Sequence, residues 1–246
     1  MKTICTFFIL SFSVIAFSQD LRIAAAADLR YTMDELVALY KKSNPQAQIE
    51  VIYGSSGNAY TQIFNGAPYD MYFSADILYP QKLYEAGVTA GPPTLYAVGR
   101  IVLWSSTIDV SNGFSVLQDY PNIRLAIANP AHAPYGKRAV EALQYYKQYD
   151  AVKPRLIYGE NISQAAQFCI TGNARIGILA LSLALSPVME KQGNYYVIDA
   201  ASHKPLRQGF VITKRASNNA VAHSFAQFIE TPEARAIFEK YGFTKN

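Results

Sequence analysis

Strand and helix signals alternate along nearly the whole chain, and that alternation limits the available folds more than any other feature. Short apolar runs at 21–25, 49–53, 71–74, 100–104, 125–128, 155–158, 176–179, 195–198 and 210–213 read as strands. Between them lie helical patterns. Leu29, Met33, Leu36, Val37 and Tyr40 recur at helical spacing; Ser55 and Ser56 open a helix that Gly66 closes; Pro80 fits the first position of a helix ended by Gly87. Further helices are expected at about 136–149, at 162–172, from after Leu179 to about Gln192, from near Ser217, and from Pro232. Alternation of this kind predicts the α/β class, with parallel-rich sheets covered by helices on both faces.

The length of 246 residues fits one large domain or two lobes. No Gly/Ser linker divides the chain into halves, so two lobes require a discontinuous arrangement. In the expected division, residues 19–97 and 208–246 form lobe one, and residues 98–207 form lobe two. Half of the residues are apolar and 16% are charged, which supplies the surface needed to offset folding entropy and excludes disorder. A net charge of +4 without any run of Lys and Arg excludes a nucleic-acid binder, whose affinity rests on a concentrated basic face.

The N-terminus reads as an address. Lys2 precedes a short apolar run from Ile4 to Phe17, and Ala16 and Ser18 are the small residues a signal peptidase reads. The run is shorter than the roughly 20 apolar residues a membrane helix needs. Residues 1–18 are therefore expected to be a signal peptide cleaved near Ser18, and the mature protein to be exported. Cleavage removes Cys5 and leaves Cys169 alone, so no intramolecular disulfide and no cysteine-based metal centre can form. Cys169 lies on an apolar helical face and reads as a buried, inert thiol.

Enzyme motifs are missing. His132, His203 and His223 are far apart in sequence, without the i, i+4 spacing of a zinc helix. Gly54-Ser55-Ser56-Gly57 follows a strand and opens a helix, but lacks the G-x-S-x-G spacing of a nucleophile elbow. No phosphate-binding glycine loop is present. The expectation is a protein that is not an enzyme, with no cofactor and no cation site.

The chain does carry four strand-to-helix junctions built of small neutral residues. They are Ala24-Ala25-Ala26-Ala27-Asp28, Gly54-Ser55-Ser56-Gly57, Ala133-Pro134-Tyr135-Gly136 and Glu160-Asn161-Ile162. Each helix start presents free backbone N–H groups and the positive end of its dipole, and small side chains let an anion approach them. In an open α/β sheet such junctions gather at the carboxyl ends of the strands. Four ordinary capped helices would give the same pattern, since Ser and Asn are favoured caps.

These junctions, together with Asn65-Gly66-Ala67-Pro68-Tyr69-Asp70, Phe73-Ser74-Ala75-Asp76, Asn129-Pro130-Ala131-His132 and Ala236-Ile237-Phe238-Glu239-Lys240-Tyr241-Gly242-Phe243, resemble in order the signature segments of the periplasmic molybdate-binding proteins of ABC importers. The resemblance spans essentially the whole mature chain. It implies a two-lobed, type II periplasmic-binding-protein fold with the ligand cleft between the lobes. It also implies a monomeric receptor for molybdate or tungstate that delivers its ligand to a membrane permease. Carried over by position, the anion contacts fall on Ala27, Asp28 and Ser56 in lobe one and on the backbone N–H groups of Tyr135 and Ile162 in lobe two. Ala180 stands where some members have a ligand-binding Tyr. The alternatives are a receptor for sulfate, phosphate or another small oxyanion, an exported enzyme on a similar fold, and a regulatory effector domain.

Asp28 departs from the family, whose members commonly carry Ser or Asn there. A carboxylate about 4 Å from one unit of negative charge costs on the order of 4 kcal/mol at an effective dielectric of 20. Three arrangements would relieve this: an N-cap onto the amides of Arg30 or Tyr31, an ion pair with Arg30 or Lys137, or protonation. The N-cap is the favoured expectation, because Asp is among the best capping residues and directly precedes the periodic run.

Overall fold

The computed structural model describes residues 20–245; residues 1–18, expected to be a signal peptide, lie outside the described residues. The chain enters as β1 (Asp20–Ala26), α1 (Arg30–Ser43), β2 (Gln48–Gly54), α2 (Ser56–Phe64), β3 (Met71–Ser74), α3 (Leu78–Glu85) and β4 (Thr94–Gly99). It continues as β5 (Ile101–Ser105), α4 (Val116–Asp119), β6 (Leu125–Ala128), α5 (Pro134–Tyr145), α6 (Tyr149–Val152), β7 (Leu156–Gly159), α7 (Ile162–Ile170), β8 (Ile176–Ala180), α8 (Leu181–Ala184) and β9 (Asn194–Val197). It closes with β10 (Leu206–Ile212), α9 (Ala220–Ile229) and α10 (Pro232–Lys240).

Two five-stranded mixed sheets form two lobes, with strand orders β2-β1-β3-β10-β4 and β7-β6-β8-β5-β9. In each, the reversed strand is the fourth in the order: β10 in one sheet and β5 in the other. The chain passes between the sheets twice, from β4 through Arg100 to β5, and from β9 to β10. The two lobes are thus built to one plan.

Burial explains why these segments are strands. Every residue of Leu125–Ala128 and Ile101–Ser105 is buried, as central strands covered on both faces require. The first sheet packs Leu21, Ile23, Met33, Leu36, Phe225 and Phe238 on one face, and Ala24, Ile63, Tyr72 and Leu83 on the other. The second lobe encloses a separate core around Trp104, Ile127, Leu143 and Ile178. Cys169 is buried in it, and burial pushes its thiol up to about 12, so it remains protonated.

Four details differ from the sequence reading. The run at 100–104 is β5, and the strand just before it, β4 in the other sheet, is one the sequence reading does not mark; the two are split at Arg100. Pro80 is the third residue of α3, whose start is held by the Leu78 N–H donating to Asp76 Oδ1 at 3.0 Å. The helix after Gly136 stops at Tyr145, because Lys147 adopts a left-handed φ of 55°. The helix after Leu179 is four residues long instead of reaching Gln192; Pro187 disfavours helix at Ser186 and cannot itself continue one.

Candidate functional site

The four junctions meet. Ala26 ends β1 and Ala27 and Asp28 follow it, and Gly54, Ser55 and Ser56 join β2 to α2. Ala133, Pro134 and Tyr135 start α5, and Asn161 and Ile162 start α7. All of these line one small cavity between the lobes, with Ala75 added from the end of β3. Its free volume is about 10 Å³, on the order of room for one water-sized centre. Larger grooves exist; in one of about 470 Å³ around Arg22, Glu50, Asp70 and Arg215 the charged groups pair with one another, and one of about 410 Å³ lies between Arg30 and Tyr31 of one lobe and Ser163 and Gln167 of the other. The interlobe cavity is where unpaired donors collect.

Main-chain geometry creates those donors. Ser56 and Ile162 are the first residues of α2 and α7, and Tyr135 is the second of α5, after Pro134. First-turn amides have no intrahelical acceptor, and none of these three finds another among the described residues. Asn161 caps α7 by accepting from the Gln164 N–H at 3.0 Å, which leaves the Ile162 amide for the cavity. Ser56 adds a side chain. Its Oγ accepts from the Ala75 N–H at 3.0 Å, so the hydroxyl proton is not engaged by that bond and is available to a ligand. No Lys or Arg lines the cavity. The site offers neutral donors and a single carboxyl group.

That carboxyl group, on Asp28, is placed otherwise than expected. Asp28 sits inside a 3-10 turn (Ala27–Leu29), and α1 starts after Leu29 without any side-chain cap. The N-cap expectation fails because the carboxylate turns away from the helix amides and into the lobe interface. Oδ2 accepts from the Gln208 side-chain amide at 2.7 Å and from the Tyr135 hydroxyl at 2.9 Å. The ion pair is absent too: the Arg30 guanidinium lies 5.2 Å above the Tyr53 ring, and Lys137 reaches the Tyr79 hydroxyl at 3.5 Å. Burial raises the Asp28 carboxyl to about 6, partly opposed by hydrogen bonds from Gln208, Tyr135 and its own main chain. Of the three expected arrangements, the helix cap and the ion pair are thus not the ones observed.

The network continues outward. Gln208 Oε1 accepts from the Tyr96 hydroxyl at 2.6 Å, which orients Nε2 toward Asp28. Gly99 leaves room for it, since a Cβ there would lie 2.7 Å from Gln208 Nε2 and against the Tyr135 hydroxyl. Sequence reading missed Gln208 and Tyr96, and it assigned Tyr135 only a backbone role. The available signal was Gln208 itself, an amide two residues before the apolar run 210–213; the structure buries it fully inside the strand Leu206–Ile212, where it needs partners.

Direct bonds hold the lobes closed on each other. The Gly57 N–H donates to the His132 carbonyl at 2.8 Å, Ser163 Oγ to the Ala27 carbonyl at 2.9 Å, and Ser182 Oγ to the Asp28 carbonyl at 2.8 Å. At the rim, His132 Nδ1 lies 2.9 Å from Ser55 Oγ, and the Asn58 amide donates to Glu160. Ala180 is buried and caps α8, the short helix that carries Ser182. Among the described residues no cluster of three or more His, Cys, Asp or Glu side chains could hold a metal ion.

Known proteins share this architecture. Residues 21–244 match the family of bacterial extracellular solute-binding proteins. The molybdate-binding protein ModA of Rhodobacter capsulatus is 36% identical over 223 residues, which is 89% of this chain and 86% of that protein. The solved structure of the periplasmic molybdate-binding protein of Azotobacter vinelandii has a TM-score of 0.85 at 30% identity, covering 92% of this chain and 99% of that one. The sulfate-binding protein SubI of Mycobacterium tuberculosis H37Rv shares the fold, with a TM-score of 0.73 at 13% identity over 91% of this chain and 86% of that one. A two-lobed α/β body closed over a ring of helix-start donors, together with identity above 30% across most of both chains, has one conclusion: this chain belongs to the bacterial extracellular solute-binding proteins and, within them, to the ModA family of receptors, which bind their solute and do not transform it.

Proposed function

We propose that the mature protein captures molybdate, and with it tungstate, in the interlobe cavity and delivers the anion to the membrane permease of an ABC importer. The observation that carries this reading is the convergence of Ala27, Asp28, Ser56, Tyr135 and Ile162 on one interlobe cavity that holds helix-start donors and no Lys or Arg. Molybdate is a dianion at neutral pH whose four oxygens accept hydrogen bonds and donate none. Ser56 donates through its hydroxyl, and Tyr135 and Ile162 through their amides. The turn at Ala27 and Asp28 completes the ring. The names of the relatives from Rhodobacter capsulatus and Azotobacter vinelandii support the same ligand. Residues 1–18 act as the cleaved signal peptide, the receptor works in the periplasm as a monomer, and nucleic acid is not a partner. Lobe one comprises 19–97 with 208–246, and lobe two 98–207.

Calorimetric titration with molybdate, tungstate, sulfate and phosphate tests this. Molybdate and tungstate are expected to bind most tightly; stronger binding of sulfate or phosphate would replace the ligand assignment. Ser56→Ala removes a hydrogen bond to a charged ligand, worth about 1.5–3 kcal/mol, and is expected to weaken molybdate binding by roughly tenfold or more. Parental affinity in that variant would remove Ser56 from the site.

Closure should follow the ligand. The donors are divided between lobes, so an open form satisfies only part of the anion, and the anion favours the closed form. Small-angle scattering is expected to show a more compact protein with molybdate than without it. Identical profiles at saturation would contradict closure on the anion.

A further inference from the structure

The proposed site contains one carboxyl group and no base, and the way that group is bonded assigns its proton. Asp28 is fully buried and lines the cavity. Two donors, the Gln208 amide and the Tyr135 hydroxyl, converge on Oδ2. Oδ1 is buried and has no hydrogen-bond partner. An ionised carboxylate would leave Oδ1 as an unpaired, partly charged acceptor beside an anion. A neutral acid uses Oδ2 as its carbonyl oxygen, which accepts both donors, and Oδ1 as its hydroxyl, which needs an acceptor. In a ring of donors, the acceptor on offer is the oxyanion.

We propose that Asp28 binds as a neutral carboxylic acid whose Oδ1 hydroxyl donates to the oxyanion, so that capture of each dianion takes up one proton from solvent. The inference rests on the oxyanion reading of the cavity and adds a proton to it. The groups facing Asp28 are Tyr135 on α5, Gln208 on β10, Tyr96 on β4 and Ser182 on α8. Of these only the tyrosines titrate, and burial holds both hydroxyls well above their ordinary range, so neither supplies a competing charge. The cations Arg30 and Lys137 are turned to Tyr53 and Tyr79. Burial has already lifted the Asp28 carboxyl to about 6 with the cavity closed, and a dianion beside it favours the neutral form further.

The test is calorimetry with sodium molybdate from pH 6 to 8.5, in buffers of different ionisation enthalpy. The parent is expected to take up close to one proton per molybdate near pH 8. Its affinity should weaken about tenfold per pH unit as pH rises above about 6. Asp28→Asn should abolish both the proton uptake and the slope. Tyr135→Phe removes a donor that favours the ionised form, and should move the onset of weakening to higher pH. Molybdate binding by the parent with no proton uptake and flat affinity across this range would overturn the proposal while leaving the oxyanion site intact. Preference for hydrogen phosphate over molybdate would also overturn it, because the proton would then sit on the anion and Asp28 would accept it. Absence of binding to any of the four oxyanions at every pH would overturn the site reading itself. Proton counting on the parent decides the matter even if a variant fails to fold.

Discussion

Gly57→Ala is expected to abolish tight molybdate binding while leaving the fold intact. Gly57 lies in the first turn of α2, and its N–H donates across the cleft to the His132 carbonyl. A Cβ added at this position would lie 2.7 Å from that carbonyl oxygen and 3.0 Å from His132 Cα and Cβ. All three atoms belong to the opposite lobe, so the clash exists only when the cleft is closed. In the open form, alanine in a helix is better than glycine by about 1 kcal/mol. Overpacking costs about 1–3 kcal/mol, and the displaced cross-lobe hydrogen bond adds about 1 kcal/mol. Together these correspond to a loss of affinity on the order of a hundredfold. The expected pattern is an unchanged or raised melting temperature without ligand, a collapse of affinity by calorimetry, and no compaction by scattering. Parental affinity would mean that the lobes do not meet at Gly57 in the bound state.

Gly136→Ala should fail in a different way. Its added Cβ would run into the Ala128 carbonyl, with the Ala128 carbonyl carbon at 2.7 Å and the Pro130 nitrogen at 2.9 Å. These are main-chain atoms of the same lobe, at the end of β6 and in the loop after it. No rotamer change relieves the contact, so α5 must lift off the sheet. Overpacking against backbone sits at the upper end of the usual range, about 3 kcal/mol. For a chain of this size that lowers the melting temperature by roughly 6–12 °C. Affinity should fall as well, because α5 carries the Tyr135 amide to the cavity. Thermal unfolding by circular dichroism of the ligand-free protein measures the first effect. A melting temperature within a degree or two of the parent would show that lobe two accommodates the methyl group. The pair of variants separates the lobe interface, where only binding suffers, from the lobe interior, where stability suffers first.

Much of this molecule is local, and local features are legible in a sequence. The runs at β3 and β6 are fully buried strands, and a buried strand needs an unbroken apolar stretch whatever surrounds it. Helix starts carry their own marks: Asn161, Asn219 and Thr231 cap α7, α9 and α10 with their side chains, and Pro134 and Pro232 open α5 and α10. The four small-residue junctions were visible for the same reason, since a helix that presents its first amides to a ligand must keep that turn free of bulk. Boundaries set by competition were harder to read. The end of α5 depends on a left-handed Lys147, and the split at Arg100 depends on which sheet each half joins.

Asp28 marks the limit. Its neighbours in sequence, Leu29 and Arg30 to Tyr31, made a helix cap the natural partner, because capping strength is a property of adjacent residues. Its actual partners are Tyr135 and Gln208, which lie 107 and 180 residues away. The sequence by itself determined the α/β class, the presence of most of the helices and the small neutral residues able to admit an anion. Only the tertiary structure decided which side chains face one another across the closed cleft, and hence that the one carboxyl group there is buried among tyrosines and an amide instead of a base. The reason is physical: secondary structure follows from interactions between near neighbours along the chain, whereas the charge state of a buried acid follows from whatever the fold brings within 3 Å of it.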